Sequence, residues 1–268
     1  MMIGVPAYRT ERDKGRSKNY AIVIPVINEG ARIASLLHKM KTHKTADFGD
    51  ILIVDGGSTD GSLATDLLDE TSVRYLLTKT GPGKLSAQLR CAYWFVLHQG
   101  YDGVVTIDGN DKDDPDAIPD FIDALRSGVD FVQASRFIEG GIEENTPFVR
   151  RFAIRFVHAP LLSLASGFNW TDTTQGFRAY SRCILQDKRI DIFRDIFQSY
   201  ELLAYLSYRV PRVGYRCLEI PTARRYPAGE RTPTKISPLK GQLEIIYTLL
   251  HAIAGRYDPV GQKEQSQA

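Results

Sequence analysis

Cysteine is scarce in this chain of 268 residues: Cys91, Cys183 and Cys217 stand far apart and odd in number. They form neither a disulfide framework nor a metal-ligand spacing, and they fit a reducing compartment. The five histidines are equally scattered, with no HxxxH or HExxH pair, so zinc-hydrolase patterns are excluded. Excess charge is missing too. Lys and Arg number 34 against 32 Asp and Glu, leaving +2, too little for sequence-independent binding of nucleic acid. No nucleic-acid partner is expected. No run of about 18 apolar residues occurs, so no transmembrane helix is expected, and the first residues lack the apolar segment of a secretory signal. Neither GxGxxG nor GxxxxGK[ST] is present, which disfavours dinucleotide and Walker-type sites. What remains is ordinary globular material, 43% apolar and 25% charged, long enough to bury a core without staples.

Short β-branched runs alternate with helical stretches through the first half. Strands are expected at Tyr20–Val26, Asp50–Val54, Val73–Leu77, Gly103–Ile107 and Phe131–Ala134. Helices are expected over about 29–40, after the glycine turn to about Glu70, over 85–99 and over 116–127. Continuous apolar strands separated by helices predict an α/β fold, a parallel sheet covered on both faces. Residues 1–18 carry five basic and two acidic side chains without apolar periodicity and read as a flexible basic tail. Residues 19–240 read as one domain, 241–257 as an amphipathic helix and 258–268 as a polar tail.

Ligands of such sheets bind beyond the carboxyl ends of the strands. Three of those ends carry reactive groups: Asn28-Glu29, Asp55 with Gly56-Gly57-Ser58, and Asp108-Gly109-Asn110. In VDGGSTDG the glycines permit a tight turn and Ser58 or Thr59 a helix cap, while Asp55 can accept hydrogen bonds from a ribose or base. In IDGNDKDDP four aspartates fall within nine residues after a buried strand. Carboxylate and amide oxygens suit magnesium or manganese held with substrate phosphates; Asp113 and Asp114 also suit a solvated, helix-capping turn. Lys84, in a loop opening a helix, directs a cation and a helix amino terminus at one place, favourable for diphosphate.

VIPVINEG, VDGGSTDG, GPGKLSAQLR and TIDGNDKDDP, in this order, resemble family 2 glycosyltransferases with the GT-A fold, a Rossmann-like, mostly parallel sheet with helices on both faces. SRF, DTTQGFRAYSR, FQSYELL and RRYPAGERTPTKIS resemble the polyprenyl- or dolichyl-phosphate sugar synthase branch, and the similarity spans roughly residues 20–240. The resemblance implies Pro25, Glu29 and Asp55 at the nucleoside, and Asp108 as first acid of a DxD motif holding Mg2+ or Mn2+ against the diphosphate. Lys84, Gly109 and Asn110 complete the implied nucleotide-sugar set, and Asp108 with Asn110 the metal set. Arg136, Arg178, Arg225 and Lys235 fall in segments resembling acceptor- and phosphate-contacting loops. Asp172 and Glu201 are each a candidate base or an arginine partner. Two departures stand out: Asn110 replaces the second DxD acid, leaving Asp111 or Asp113 as possible helpers, and Gly56 replaces the second acid of VDDGS.

The implied reaction is inverting transfer of a sugar from a nucleotide-diphospho-sugar, with a divalent ion, to a polyprenyl phosphate in cell-envelope glycan synthesis. A glycan hydroxyl acceptor, needing a carboxylate base, and a non-catalytic nucleotide-sugar-binding protein are the alternatives. The segment 224–240 holds five basic residues and one acid among prolines and glycine, and suits a basic lid over phosphates, in which Arg225 and Lys235 would aid catalysis. Two amphipathic stretches, Phe152 to Phe168 with arginines at its start and a Pro160 kink, and Leu243 to Ile253, suit core packing, a homodimer face or a membrane interface. The expected location is cytoplasmic, in solution or peripheral on the inner face of the membrane.

Overall fold

The computed structural model of the chain describes residues 4–227 and 240–259, without the side chains of 240–243. In chain order the elements are β1 (Tyr8–Asp13), β2 (Tyr20–Val26), α1 (Ala31–Thr42), β3 (Asp50–Asp55), α2 (Thr65–Glu70), β4 (Val73–Lys79), α3 (Leu85–His98) and β5 (Gly103–Thr106). There follow α4 (Ile118–Arg126), β6 (Phe131–Ser135), β7 (Ile142–Glu144), α5 (Phe148–Ala153), a π-helical turn (Ile154–His158), α6 (Ala159–Ser166), β8 (Arg178–Ser181) and α7 (Arg182–Gln186). The last are α8 (Glu201–Arg212), β9 (Cys217–Pro221), β10 (Ala223–Arg225) and α9 (Lys240–Ile253).

Eight strands form one sheet in the order β1-β4-β3-β2-β5-β8-β6-β9. β4, β3, β2 and β5 are mutually parallel, β6 and β9 run alongside each other, and only β1 and β8 pair antiparallel. The sheet is mixed and mostly parallel, as expected. Its apolar strands have a direct cause: Ala21 and Val23 enter the core under α3 and α8, whereas Ile22, Ile24 and Val26 enter that under α1 and α4. Side chains alternate across a strand, so a sheet covered on both faces requires apolar residues at every position.

Residues 8–13 correct the expected tail. They form an edge strand on β4, where Arg12 Nε donates to Val73 O at 2.7 Å and its guanidinium pairs with Asp69. A half-exposed edge tolerates charge and discourages further pairing, so it lacks the apolar signal of an inner strand. At Pro160, where a kink is expected, the structure has a π-helical turn over Ile154–His158 instead. The proline has no N–H to bind the preceding turn, and the helix widens just before it, Ala159 N donating to Ile154 O. Residues 224 and 225, expected in a lid, belong to β10 paired with β7; the lid residues 228–239, Lys235 among them, lie outside the described residues.

Candidate active site

A cleft of about 620 Å³ opens at the carboxyl ends of β2, β3 and β5. Its rim is stapled between loops: Asn28 N donates to Ser58 Oγ at 2.9 Å, and Thr59 N to Asn28 Oδ1 at 2.8 Å. Pro25, Glu29, Lys84, Asp108, Gly109 and Asn110 all line the cleft, so the structure gathers six residues expected at the donor. Glu29 is paired with Arg32 at 2.9 Å. Asp55 lies just behind the wall, its carboxylate taken by Ser58 N and Ser58 Oγ, and Gly56 faces the cleft in its place.

The two departures have local explanations. A Cβ at Gly56 would lie 3.0 Å from Gln88 Nε2, and that amide donates to Val26 O at 2.8 Å and Val54 O at 3.0 Å, tying together the ends of β2 and β3. Gln88 therefore occupies the room a side chain at 56 would use. The IDGN turn is set by Asp111, whose φ of 58° reverses the chain. Asp111 is thrown outward onto Lys39 and Ser35, at 2.8 and 2.6 Å. Lys112 is turned inward to the cleft, 5% exposed, its Nζ 5.3 Å from the Tyr226 ring centre. Asp113, buried, binds Arg224 Nη1 through both oxygens at 2.6 and 2.7 Å, and Asp114 accepts Asp116 N as a helix cap.

Neither Asp111 nor Asp113 is therefore free to help with a metal, and among the described residues no cluster of three His, Cys, Asp or Glu is placed to hold one. Asp108 and Asn110 still fit a hard cation as a two-oxygen set, because such an ion takes its remaining ligands from diphosphate and water. Gly176 protects the set: a Cβ there would stand 2.2 Å from Asp108 Oδ1.

The far wall is cationic. Arg224 is 4% exposed and reaches Asp108 at 3.5 Å as well as Asp113. Burial opposes its charge, but Asp113 outweighs that and keeps it firmly protonated. Burial and Arg224 push the Lys112 ammonium down to about 8. Tyr226 is buried, which would raise its phenol, yet Arg224, Arg150 and Arg136 bring it down to about 8. Among the described residues, neither the Tyr226 hydroxyl nor Arg224 Nε meets another atom with the geometry of a hydrogen bond, although the two side chains lie against each other. Buried donors of that kind ordinarily find a partner.

Several expected residues are placed elsewhere. Arg136 and Asp172 are both fully buried and pair with each other at 2.7 Å, so neither presents its charge to a substrate. Arg178 lies on the cleft wall but spends its guanidinium on Gln175 O, Leu203 O, Thr173 O and Ser207 Oγ, clamping the 173–175 loop to α8. Glu201 accepts Ser199 N at 2.6 Å at the start of α8, off the cleft; its neighbour Tyr200 faces it. Arg225 points away to Asp114 and Glu144, about half exposed, while Arg224 faces inward. The pleat alternates successive side chains, and no local cue in RRY says which arginine enters. Lys112, Arg150, Arg224 and Gln88 are the site residues that sequence reasoning missed. Arg150 is one of three arginines at the start of an amphipathic stretch, with nothing local to single it out, and a lysine between aspartates reads as solvated.

The chain superposes on mannosyl-3-phosphoglycerate synthase from Rubrobacter xylanophilus with a TM-score of 0.60 and 16% identity, covering 89% of this chain and 74% of that one. It superposes on glucosyl-3-phosphoglycerate synthase from Mycobacterium tuberculosis, solved with Mn2+, UDP-glucose and phosphoglyceric acid, with a TM-score of 0.58 and 18% identity, covering 89% and 80%. The fold is that of the GT-A glycosyltransferases. Residues 21–188 match the family described as Glycosyl transferase family 2, and the chain belongs to that family. Among its relatives, the polyprenol monophosphomannose synthase of Mycolicibacterium smegmatis is 26% identical over 225 residues, 79% of this chain and 82% of its own. The undecaprenyl-phosphate mannosyltransferase of Micrococcus luteus is 29% identical over 202 residues, 74% and 80%.

Proposed function

We propose that this glycosyltransferase moves mannose from a nucleotide-diphospho-sugar to a polyprenyl phosphate, with inversion at the anomeric carbon. One observation carries the choice of acceptor. Among the described residues, the carboxylates lining the cleft are Asp108, beside Asn110 and Arg224, and Glu29, paired with Arg32. Both candidate bases, Asp172 and Glu201, are engaged elsewhere. A sugar hydroxyl acceptor needs a base, whereas a phosphate monoester, with a second pKa of about 6, is already anionic at neutral pH.

In this reading the nucleoside lies along Pro25, Glu29 and Gly56, and Lys84 faces the diphosphate from the start of α3. Asp108 and Asn110 would hold the divalent ion, which when bound supplies electrostatic stabilisation of the leaving diphosphate. An acceptor phosphate oxygen attacks the anomeric carbon from the opposite face, the bond to the diphosphate breaks, and the nucleoside diphosphate departs with the electron pair. Arg150 and Arg224 screen the repulsion between the incoming phosphate and the leaving group, the kind of preorganised charge that contributes most to such reactions. The exposed apolar side chains of α5 and α6, described below, favour a lipid-borne acceptor at a membrane surface.

The test is product formation from GDP-mannose, UDP-glucose and other nucleotide sugars, with undecaprenyl phosphate, dolichyl phosphate and a panel of glycans. The expected product is a polyprenyl-phosphate mannose. Transfer to glycan hydroxyls alone would reject the acceptor, and transfer of another sugar alone would reject the donor.

A further inference from the structure

Glu219 stands on the edge strand β9, in register with Gln133 of β6. A charge on an edge strand discourages further pairing, and that alone would be an ordinary use. Its hydrogen bonds point to another. Thr171 N donates to both carboxylate oxygens at 2.9 and 3.0 Å, Thr171 Oγ1 donates at 2.7 Å and Asp172 N at 3.0 Å. Burial pushes the Glu219 carboxyl above its ordinary 4.5, more than these bonds bring it down. A buried carboxylate is costly unless donors compensate it. Here the donors are two consecutive backbone amides and a hydroxyl, all of one loop.

That loop, residues 171–176, reaches into the cleft, where Thr173, Thr174 and Gly176 line the wall. Arg178 Nη2 donates to Thr173 O at 3.0 Å, and Asp172 accepts Thr174 N at 3.3 Å. The segment therefore has little freedom between its anchor on β9 and its end. Gly176 closes directly on Asp108: a Cβ there would stand 2.2 Å from Asp108 Oδ1 and 2.8 Å from Asp108 Cγ. The Asp108 carboxylate rests against the backbone of residue 176, so a small shift of the loop pushes or releases it. A cation set of two protein oxygens tolerates little misplacement of either.

We infer that Glu219 is a positioning residue of the metal set: through the 171–176 loop it fixes the orientation of the Asp108 carboxylate, and with it the affinity for the divalent ion that accompanies the diphosphate. The inference rests on the donor reading given above and adds to it a residue outside the cleft. Glu219 does not line the cleft, so it acts only through the loop.

Calorimetric titration of the full chain with GDP and with UDP, in EDTA and at graded Mn2+, tests this in the wild type, Glu219→Gln and Thr171→Val. The first variant turns an amide group toward N–H donors where an oxygen stood; the second removes only the hydroxyl bond. Thermal melting checks that each folds. In EDTA the three proteins should not differ. Mn2+ should tighten wild-type nucleotide binding, and Glu219→Gln should need roughly tenfold or more Mn2+ for the same effect, the usual loss when a group supporting a metal ligand is removed. Thr171→Val should shift in the same direction by less, and turnover of both at saturating Mn2+ should stay near wild type. A lowered melting temperature with an unchanged Mn2+ requirement overturns the inference and leaves the donor reading standing. So does a loss of nucleotide affinity that is equal in EDTA and in Mn2+. Wild-type binding that is insensitive to Mn2+ overturns it together with the metal set. No binding of either nucleotide under any condition overturns the donor reading as well. If Glu219→Gln fails to fold, the Mn2+ requirement of Thr171→Val decides.

Discussion

Arg136 and Asp172 are both inaccessible to solvent, and a buried ion pair has a diagnostic energetic signature. Removing one partner strands the other charge, at a cost of about 3–5 kcal/mol. Asp172→Asn should therefore lower the melting temperature markedly while leaving turnover per folded molecule close to wild type. A wild-type melting temperature combined with lost turnover would restore Asp172 as a base. The adjacent arginines of β10 give a sharper contrast. Arg225 pairs with Asp114 and Glu144 in solvent, where such pairs contribute roughly 0–1 kcal/mol, so Arg225→Ala should leave both stability and kcat nearly unchanged. Arg224→Ala should destabilise by stranding Asp113, and should abolish turnover in the fraction that remains folded. Melting curves and kinetics of the two variants side by side check this. Equal effects would mean that the inward and outward sides of β10 are not functionally distinct.

At the scale of elements, the α5–π-turn–α6 segment has two different sides. Arg150, His158 and Leu162 face the cleft. The outer side exposes Phe148 at 77%, Phe152 at 52%, Phe156 at 65% and Leu164 at 86%. Positions 148, 152 and 156 share a face by their spacing of four. α9 packs against α6 and exposes Tyr247 and Leu250. Clustered exposed apolar side chains mark an interaction site, and Arg151 and Arg155 beside them suit anionic headgroups. No helix among the described residues is long and apolar enough to cross a membrane. The triple change Phe148, Phe152 and Phe156→Ser should leave melting temperature and nucleotide binding unchanged. It should reduce sedimentation with anionic vesicles, and turnover on long-chain polyprenyl phosphate more than on a short, water-soluble analogue. Unaltered vesicle binding would assign this face to another contact.

Across the whole molecule, acids at opposite ends of the sheet have opposite uses. Asp55 ends β3 just behind the cleft wall and Asp108 follows β5 into the cleft, whereas Asp50 begins β3 and ties it to the segments leading into β2 and β5. It accepts Ser17 N and Ser17 Oγ, Lys18 N, and Tyr101 Oη at 2.7 Å. Burial would raise its pKa, but those hydrogen bonds outweigh it and hold the carboxyl below its ordinary 3.8. A depressed pKa contributes stability that is fully present above the unfolded value and is lost as pH falls through the folded one. Asp50→Asn should thus melt lower than wild type by a constant margin at neutral pH, and the margin should shrink as pH drops below 3.8. Thermal melts from pH 7 to 3 read this directly. A margin independent of pH would mean that the hydrogen bonds, not the charge, matter.

The strands, helices and strand-end chemistry were legible because they are local. Apolar runs such as YAIVIPV must be buried on both faces, and Asp108-Gly109-Asn110 follows such a run wherever the chain is placed. The ordered motifs likewise sufficed for the family. β1 escaped notice because an edge strand needs few apolar residues, and its partners on β4 lie 62 to 71 positions away in sequence. The assignment of charges was decided only in three dimensions. Whether Asp172 faces a substrate or Arg136, and whether Arg224 or Arg225 enters the cleft, depends on which partners distant segments bring. The same holds for the turn that buries Lys112 while Asp111 finds Lys39. A charge is stabilised by its neighbours within a few ångströms, and those neighbours come from elements that only the folded chain brings together.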